Sequence, residues 1–329
     1  MADHQSAVMS ARLVLTGLLL LSGISFLSAL ALGSVTLHWQ DLWAVLQGEQ
    51  GLYRNLVVDL RLPRAMAAFA TGGMLALAGA LMQVLLRNPL ADPYILGISG
   101  GAAVGALSSM LIGASGVWFT GSAFGGALLS MLLVFTLARG HGSWTSTRLL
   151  LTGVVIAAGW GAVISFILAI SPDTHLRGML FWLMGDLSHT QNPGVGWAVL
   201  LFGMIACLPL AHPLNALSRG ELQASALGVA VQPLRLQVYV LASLLTAVAV
   251  TLAGSIGFIG LIVPHLLRLV IGNDQRILLP AAVLLGGSLL TVADTLARTV
   301  VAPQQLPVGV ITALLGVPVF LYLLQRGYR

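Results

Sequence analysis

Long, uninterrupted apolar runs dominate this chain and restrict the folds it can adopt. A helix needs about 17 to 25 apolar residues to cross a bilayer, and ten stretches of the sequence approach or meet that length. These stretches are residues 13–34, 65–86, 93–112, 117–138, 149–170, 194–211, 236–254, 257–272, 277–293 and 306–324. The sequence therefore predicts an all-α integral membrane protein, with ten transmembrane helices in a single domain that spans residues 1–329.

The charged residues are few and exclude several function classes. They make up 8% of the chain, whereas soluble domains contain about 25%. All fifteen basic residues are arginines scattered between apolar runs, a distribution that does not favour nucleic-acid binding. Because the chain contains no lysine, it cannot supply the lysine of a P-loop. We therefore predict that the protein is not itself an enzyme and that any ATP hydrolysis occurs on a separate subunit.

The distribution of arginines predicts how the helices are oriented. With ten spans, both termini lie on the same side of the membrane, and that side carries ten arginines and four acidic residues. The opposite side carries five arginines and six acidic residues. Since cytoplasmic connections are enriched in basic residues, we predict that the N-terminus and the C-terminus are both cytoplasmic.

The positions of the acidic residues bear on the energy source. Ion-coupled carriers place ionisable groups near the middle of the membrane, but all ten acidic residues fall in predicted connections or near the ends of spans. Coupling to an ion gradient is therefore not favoured. An ion-coupled secondary carrier and a membrane scaffold without transport activity stay as alternatives.

The longest predicted cytoplasmic connection covers residues 212–235. In it, apolar positions such as Leu217 and Leu222 alternate with polar ones such as Arg219 and Gln223, which predicts an amphipathic helix. Such a helix either docks an ATPase subunit or lies passively in the membrane interface. The spacing alone does not choose between these two roles.

Several sequence blocks identify a family. They are RLPR at 61–64, GGMLALAGALMQVLLRNPLADPYILGISGGA at 72–102, TSTRLLLTG at 145–153, LRGMLFWLMGDL at 176–187, GSIGFIGLIVPHLLRLVIGND at 254–274, LLPAAVLLGGSLLTVADTLAR at 278–298 and QLPVGVITALLGVPVFLYLL at 305–324. In this order they resemble the FecCD family, the permease subunits of type II ABC importers for iron-siderophores, heme and cobalamin. The resemblance extends from Arg61 to Leu324.

The resemblance implies an assembly in the bacterial inner membrane. It implies a homodimer of ten-helix subunits with the translocation path along the dimer interface, two copies of an ABC ATPase subunit, and a periplasmic substrate-binding protein that delivers the cargo. It implies no cofactor and no resident metal. An iron chelate, either heme or a ferric siderophore, is the expected cargo because most of the family serves iron, and cobalamin is the alternative.

The resemblance also assigns residues to the partner surfaces. Arg61, Arg64 and Arg298 are expected to pair with carboxylates on the binding protein, although each could instead anchor the membrane interface, and Arg298 could simply pair with Asp294 four positions earlier. The expected ATPase-coupling residues are Arg219, Glu221, Ala224, Leu227 and Gly228.

The resemblance places a gate and a pathway as well. Ser146 and Thr147 are expected at the cytoplasmic gate, although hydroxyl residues at a helix start are also typical N-caps. The connection RNPLADPYILGISGGA at 87–102 leads into a helix of small residues and suggests a translocation path. The expected pathway residues are Gln83, Asn88, Pro89, Gly97, Ser99 and Gly100.

Histidines near the predicted ends of spans are candidate contacts for a heme cargo. His265 lies in the motif PHLLR, which occurs in the family for very different substrates, so a structural or gating role is favoured over iron ligation. His175 and His189 lie in the predicted periplasmic connection 171–192, where either heme contact or simple solvation is compatible with the sequence.

Overall fold

The structure is a computed structural model that describes residues 2–33, 35, 37–48, 51–139, 145–188 and 193–327. Within these residues the regular structure is entirely helical. The α-helices are α1 (Ala2–Ala31), α2 (Trp39–Leu46), α3 (Leu52–Asn55), α4 (Leu62–Leu85), α5 (Ile98–Leu111), α6 (Val117–Arg139), α7 (Ser146–Ile170), α8 (Asp173–Leu183), α9 (Gly194–Cys207), α10 (Ala211–Ser218), α11 (Glu221–Ala226), α12 (Val231–Ala253), α13 (Ile259–Ile271), α14 (Gln275–Thr299) and α15 (Val308–Gly327). A π-helix, Leu56–Arg61, leads into α4, and a 3₁₀-helix, Pro93–Leu96, precedes α5.

The apolar runs of the sequence form the membrane-spanning helices, and each of the ten predicted stretches coincides with a helix. In the described part of the chain, six helices are long and apolar enough to cross a membrane, or seven if α9 and α10, which meet at 67°, form one broken span. Shorter apolar helices occupy three further stretches, in α5, α13 and α15. The protein is thus a multi-pass membrane protein, while the count of ten spans and their orientation stay predictions.

Helix α4 forms the core of the bundle. Most of its apolar stretch, 94%, is buried, and it packs against α9, α12, α13 and α14. Glycines permit this packing, since a Cβ atom on Gly72 would overlap the carbonyl oxygen of Gly286 in α14, and one on Gly79 would overlap that of Gly260 in α13. Small residues allow membrane helices to approach closely, and a helix that is apolar on all sides is expected at the centre.

Helix α7 has the opposite environment. Only 11% of its apolar stretch is buried, and large apolar side chains such as Val155 and Phe166 are exposed along it. The outer face of α7 must therefore contact lipid or another protein chain.

The 212–235 connection differs from its prediction. Instead of one amphipathic helix it contains two short helices, α10 and α11, and its last five residues already belong to α12. The break lies at Gly220, whose φ of +128° is accessible mainly to glycine. Arg235 therefore lies inside a packed helix and not in a solvated connection.

Candidate functional site

Polar side chains concentrate at the two ends of the helix bundle. Helix α14 carries Asp274 and Arg276 at its start and Asp294 and Arg298 near its end, and about 20 residues of α-helix separate these pairs by about 30 Å. We call the cluster of Arg61, Arg64, Asp294 and Arg298 the arginine cluster. The other end contains an open cavity and the start of α7.

In the arginine cluster a single carboxylate holds two arginines. Arg64 Nε donates to both carboxylate oxygens of Asp294 at 3.0 Å, and its Nη2 donates at 2.8 Å. Arg298 Nε lies 3.2 Å from the same carboxylate, which confirms the pairing that their spacing of four suggested. Asp294 is 1% exposed, so its charge depends on these partners for compensation.

The remaining donors of the cluster cap helix α1. Arg61 donates to the carbonyl oxygens of Leu30 and Ala31, at 2.6 and 2.8 Å, and to that of Val35. Arg298 donates to the carbonyl oxygen of Ala29 at 3.2 Å. The last four carbonyl groups of a helix have no partner within the helix, and cations near them are favourable. The two arginines therefore fix the end of α1.

The three arginines expected to dock a binding protein differ in how far they are exposed. Arg61 and Arg298 are buried, at 4% and 7% exposure, because they serve α1 and Asp294. Arg64 is partly exposed and also donates to Gln305 at 2.9 Å. A docking role stays a prediction for all three, and for Arg61 and Arg298 it requires them to leave their present partners.

The cavity at the other end has a volume of about 610 Å³. Three of the expected pathway residues, Gln83, Asn88 and Pro89, line it. The charged residues in its wall are Arg87, Arg219, Arg268, Asp274 and Arg276. The excess of arginine gives this cavity a positive potential.

Two hydrogen-bonded groups in the wall are fixed. The Asp274 carboxylate accepts from Arg276 at 2.6 Å and from Asn215 at 2.9 Å. These bonds hold the pKa of the Asp274 carboxyl well below its usual range, and the contribution of Arg276 is the larger one. Gln83 is buried, donates to the carbonyl oxygen of Leu261 at 3.1 Å and accepts from Arg268. Gln83 therefore joins α4 to α13 at the wall of the cavity, and its side-chain amide is held by these bonds.

The other expected pathway residues lie apart from the cavity. Gly97 has a φ of +68° and ends the 3₁₀-helix before α5. Ser99 donates to the hydroxyl oxygen of Ser255 at 2.9 Å, and a Cβ atom on Gly100 would lie 2.7 Å from Cβ of Trp160. The predicted pathway residues thus form two groups and not one continuous lining.

The expected gate residues lie at the start of α7. The N-cap is Thr145, whose side chain accepts from the backbone of Arg148 at 3.2 Å, so the cap interpretation of Ser146 and Thr147 is wrong by one or two positions. Ser146 Oγ instead donates to the carbonyl oxygen of Leu85, at the end of α4, at 3.1 Å. Thr147 is exposed. Ser146 therefore ties α7 to α4.

The expected coupling residues differ in their exposure to solvent. Arg219, Leu227 and Gly228 are exposed, whereas Ala224 is fully buried and cannot contact a partner in this arrangement. Leu222, which was not among the assigned residues, is 89% exposed, and Leu227 is 69% exposed. Helix α11 and the residue that follows it thus present two leucines to their surroundings.

Glu221 pairs with Arg235, a residue to which the sequence assigned no role. Its carboxylate accepts from Arg235 Nη1 at 3.1 Å, and Arg235 Nη2 donates to Ser146 Oγ at 3.4 Å. Arg235 is 2% exposed. A lone arginine one turn inside an apolar segment was a signal that it has fixed partners, but its position in the sequence suggested a solvated connection.

The histidines form no shared site in the described parts of the chain, where no group of three or more His, Cys, Asp or Glu residues could hold a metal ion. His265 is partly buried in α13, and His175 is partly buried in α8. His189 lies outside the described residues.

The FecCD transport family pattern matches residues 18–326, almost the whole chain. The chain belongs to the FecCD transport family. The hemin transport system permease protein HmuU of Yersinia pestis is 42% identical over 338 residues, which cover 96% of each chain. The vitamin B12 import system permease protein BtuC of Klebsiella pneumoniae is 40% identical over 324 residues, covering 95% of this chain and 93% of BtuC.

A solved structure supports the fold of this FecCD permease. A metal-chelate type ABC transporter in an inward-facing conformation matches with a TM-score of 0.80 and 32% identity, over 96% of this chain and 99% of that chain. The motif order that identified the family from sequence is therefore confirmed by the family match and by the fold. The family consists of transmembrane permease subunits.

A titration of Asp92 provides a test of the connection between α4 and α5 in the FecCD permease. Burial raises the pKa of Asp92 from 3.8 to about 6, and the hydrogen bond from the backbone N–H of Tyr94 offsets part of the increase. Between pH 3.8 and about 6, the folded protein retains a proton on Asp92 that the unfolded chain releases. The free energy of unfolding therefore decreases as the pH rises through about 6.

We expect the Asp92→Asn variant to lack this decrease. The wild type should lose at most about 3 kcal/mol of unfolding free energy relative to Asp92→Asn between pH 4 and 7. This limit is the shift in the pKa of Asp92 multiplied by about 1.4 kcal/mol per pKa unit. Thermal unfolding in detergent across this range measures it, with Asp173→Asn, at an exposed position, as the control. Parallel profiles for the wild type and Asp92→Asn would contradict the assignment.

Proposed function

We propose that this FecCD permease is the membrane subunit of a binding-protein-dependent ABC importer that moves an iron chelate, heme or a ferric siderophore, from the periplasm to the cytoplasm. The assembly contains two copies of the permease and two ATPase subunits in the bacterial inner membrane. The observation that carries the proposal is the pair of exposed leucines at α11, Leu222 within it and Leu227 directly after it, on a chain that has no lysine for a P-loop. The similarity to a hemin permease over 96% of the chain supports an iron chelate as the cargo.

Helix α11 suits an ATPase groove. Leu222 on this short helix and Leu227, the residue directly after it, are exposed, and the other exposed residues of the helix include Gln223 and Ser225. Apolar side chains ringed by polar ones are typical of protein contact sites. Glu221 at the start of α11 is paired with Arg235, so a force on this helix acts on the helix bundle and not on a flexible loop.

A second copy of the chain is the proposed neighbour of α7. Only 11% of the apolar stretch of this helix is buried by its own chain, and Cβ atoms added at Gly159 or Gly161 would meet nothing within 4 Å. Small residues on an open face allow a partner helix to approach closely. A path between two α7 helices then begins beside Ser146, at the proposed cytoplasmic gate.

The arginine cluster lies at the end of the bundle where the proposed topology places the binding protein. Arg64 is its partly exposed member, so we assign it the first contact with a carboxylate of that protein. Exposed ion pairs contribute only about 0.2 to 1 kcal/mol each. Such contacts set orientation and association rate more than affinity.

Cobalamin is the second candidate cargo because relatives named for vitamin B12 import match almost as well, at 40% identity, as the hemin permease at 42%. An ion-coupled carrier is disfavoured by the surroundings of Asp294, the buried carboxylate of α14. Two arginines already pair with it, so this carboxylate is committed to contacts within the chain and is not open to a coupling ion.

The function is tested by reconstitution in liposomes with the ATPase and binding protein encoded beside the gene. ATP hydrolysis is measured with heme, a ferric siderophore or cobalamin on the binding protein. We expect stimulation by one of the two iron chelates, and stimulation by cobalamin alone would favour the second candidate. An uncoupler that abolishes uptake while ATP is present, without ATPase stimulation, would overturn the proposal.

Substitution of Leu222 by aspartate tests the docking of the ATPase. Loss of a central apolar contact costs about 2 kcal/mol or more, so the dissociation constant of the ATPase subunit should rise by roughly 30-fold. Titration of detergent-solubilised permease with the ATPase measures this constant. Gln223→Asp adds the same charge at the neighbouring exposed position and serves as the control, and equal effects of both variants would exclude a leucine-specific contact.

A further inference from the structure

We infer that Arg235 is the positioning residue that couples helix α11 to the start of helix α7, so that movement of the ATPase-docking helix is passed to the proposed gate. The inference rests on the proposed function and extends it to a residue that is not part of the docking surface. At 2% exposure, Arg235 is not at the surface where a partner protein would bind. It acts through Glu221 on one side and Ser146 on the other.

The geometry places one guanidinium between two elements. Arg235 Nη1 donates to Glu221 Oε1 at 3.1 Å, and Nη2 donates to Ser146 Oγ at 3.4 Å. Ser146 Oγ in turn donates to the carbonyl oxygen of Leu85 at 3.1 Å. This series of hydrogen bonds joins α11 to α12, α12 to α7 and α7 to the end of α4.

The burial of Arg235 makes these bonds difficult to break. At 2% exposure its charge has little contact with water, and loss of the partner of a buried charge is strongly unfavourable. The like charge of Arg87 also acts on Arg235, which adds to its requirement for the Glu221 carboxylate. When Glu221 moves with α11, the guanidinium is therefore expected to follow and to change its bond to Ser146.

Helices α12 and α7, which Arg235 connects, differ in how much of their surface is buried in the bundle. Helix α12 is anchored one turn beyond Arg235, where Tyr239 donates to the carbonyl oxygen of Met131 in α6 at 2.7 Å. Helix α7 packs against α5 and α6, but only 11% of its apolar stretch is buried, against 61% for α12. Motion at Arg235 is thus more readily taken up by α7 than by the packed base of α12.

Lysine at position 235 tests the coupling because it retains the positive charge but lacks the planar fork that reaches two acceptors. A nitroxide attached to Thr147→Cys, at an exposed position beside the gate, reports movement of α7 when the ATPase in the assembled complex is trapped with ADP and vanadate. Native Cys207 is buried, and permease without the introduced cysteine gives the labelling background. We expect the change in the nitroxide signal per trapped nucleotide to be about tenfold smaller in Arg235→Lys than in the unsubstituted permease.

Arg148→Lys, at an exposed position in the first turn of α7, is the matched control and should leave the response unchanged. An undiminished response in Arg235→Lys would overturn the inference alone. Failure of the unsubstituted permease to bind the ATPase would overturn the proposed function together with the inference.

A second measurement does not depend on folding of the Arg235 variant. Glu221→Gln and Ser146→Ala are combined in a double-mutant cycle, with the same nitroxide response as the readout. If Arg235 links the two residues, their effects are non-additive although no direct hydrogen bond joins them. Additive effects would overturn the inference.

Discussion

The Asp294→Ala variant is expected to lose about 3 to 5 kcal/mol of folding free energy, because removal of one partner from a buried ion pair leaves an uncompensated charge. Asp294 is the carboxylate that both Arg64 and Arg298 contact. Arg61 also lies within the electrostatic reach of Arg298, so three mutually repelling arginines would remain near the end of α1. The effect therefore exceeds that of an ordinary surface substitution.

The free energy of unfolding in mixed micelles with increasing SDS measures this loss. Asp173→Ala removes an exposed carboxylate from the first turn of α8 and should change the free energy by no more than about 0.5 kcal/mol. If the two variants lost equal stability, the arginine cluster would not depend on Asp294. Asp294→Asn should fall between them, since it retains hydrogen-bond acceptance but not charge.

The Gly79→Ala variant is expected to be destabilised although alanine is the better helix former. A Cβ atom at Gly79 would overlap the carbonyl oxygen of Gly260 in α13, and backbone atoms cannot rotate away as a side chain could. Overpacking typically costs about 1 to 3 kcal/mol, and here the overlap with backbone places the cost at the upper end. The yield of monodisperse permease and its unfolding temperature report this loss.

The control for Gly79 has an effect of opposite sign. Gly125 lies in α6, where an added Cβ would meet nothing within 4 Å. Gly125→Ala should therefore gain about 0.5 to 1 kcal/mol from the higher helix propensity of alanine. Equal gains at both positions would show that α4 and α13 are not in close contact at Gly79.

Helix positions were predictable from the sequence because membrane spans depend on long apolar runs, which are local. Residues 117–138 were predicted and α6 covers Val117–Arg139. The connection 212–235 was less predictable, because its periodicity resembles one helix and a single glycine divides it. The helix α12 also begins earlier than hydropathy suggested, and Leu234 and Arg235 are already buried before the predicted apolar run begins.

The candidate sites could be predicted only in part. The pair Asp294 and Arg298 is four residues apart and was readable as a local contact. The pair Arg64 and Asp294 is separated by 230 positions, and the bonds from Arg61 to the end of α1 also depend on tertiary packing. Resemblance to the family assigned roles to these arginines but did not show that two of them are already occupied by carbonyl oxygens.

The central position of α4 has a consequence for how the protein is made. Helix α4 ends at Leu85, but α14, one of the helices that cover it, begins at Gln275. At about 5 to 20 residues per second, synthesis of the intervening part of the chain takes on the order of 10 to 40 s. During that interval α4 lies in the bilayer without α14, and the glycine-lined face that α14 later covers is open to lipid or the insertion machinery. Ribosome-bound chains that end before α12 should therefore crosslink to lipid from α4 positions that are inaccessible in the completed permease.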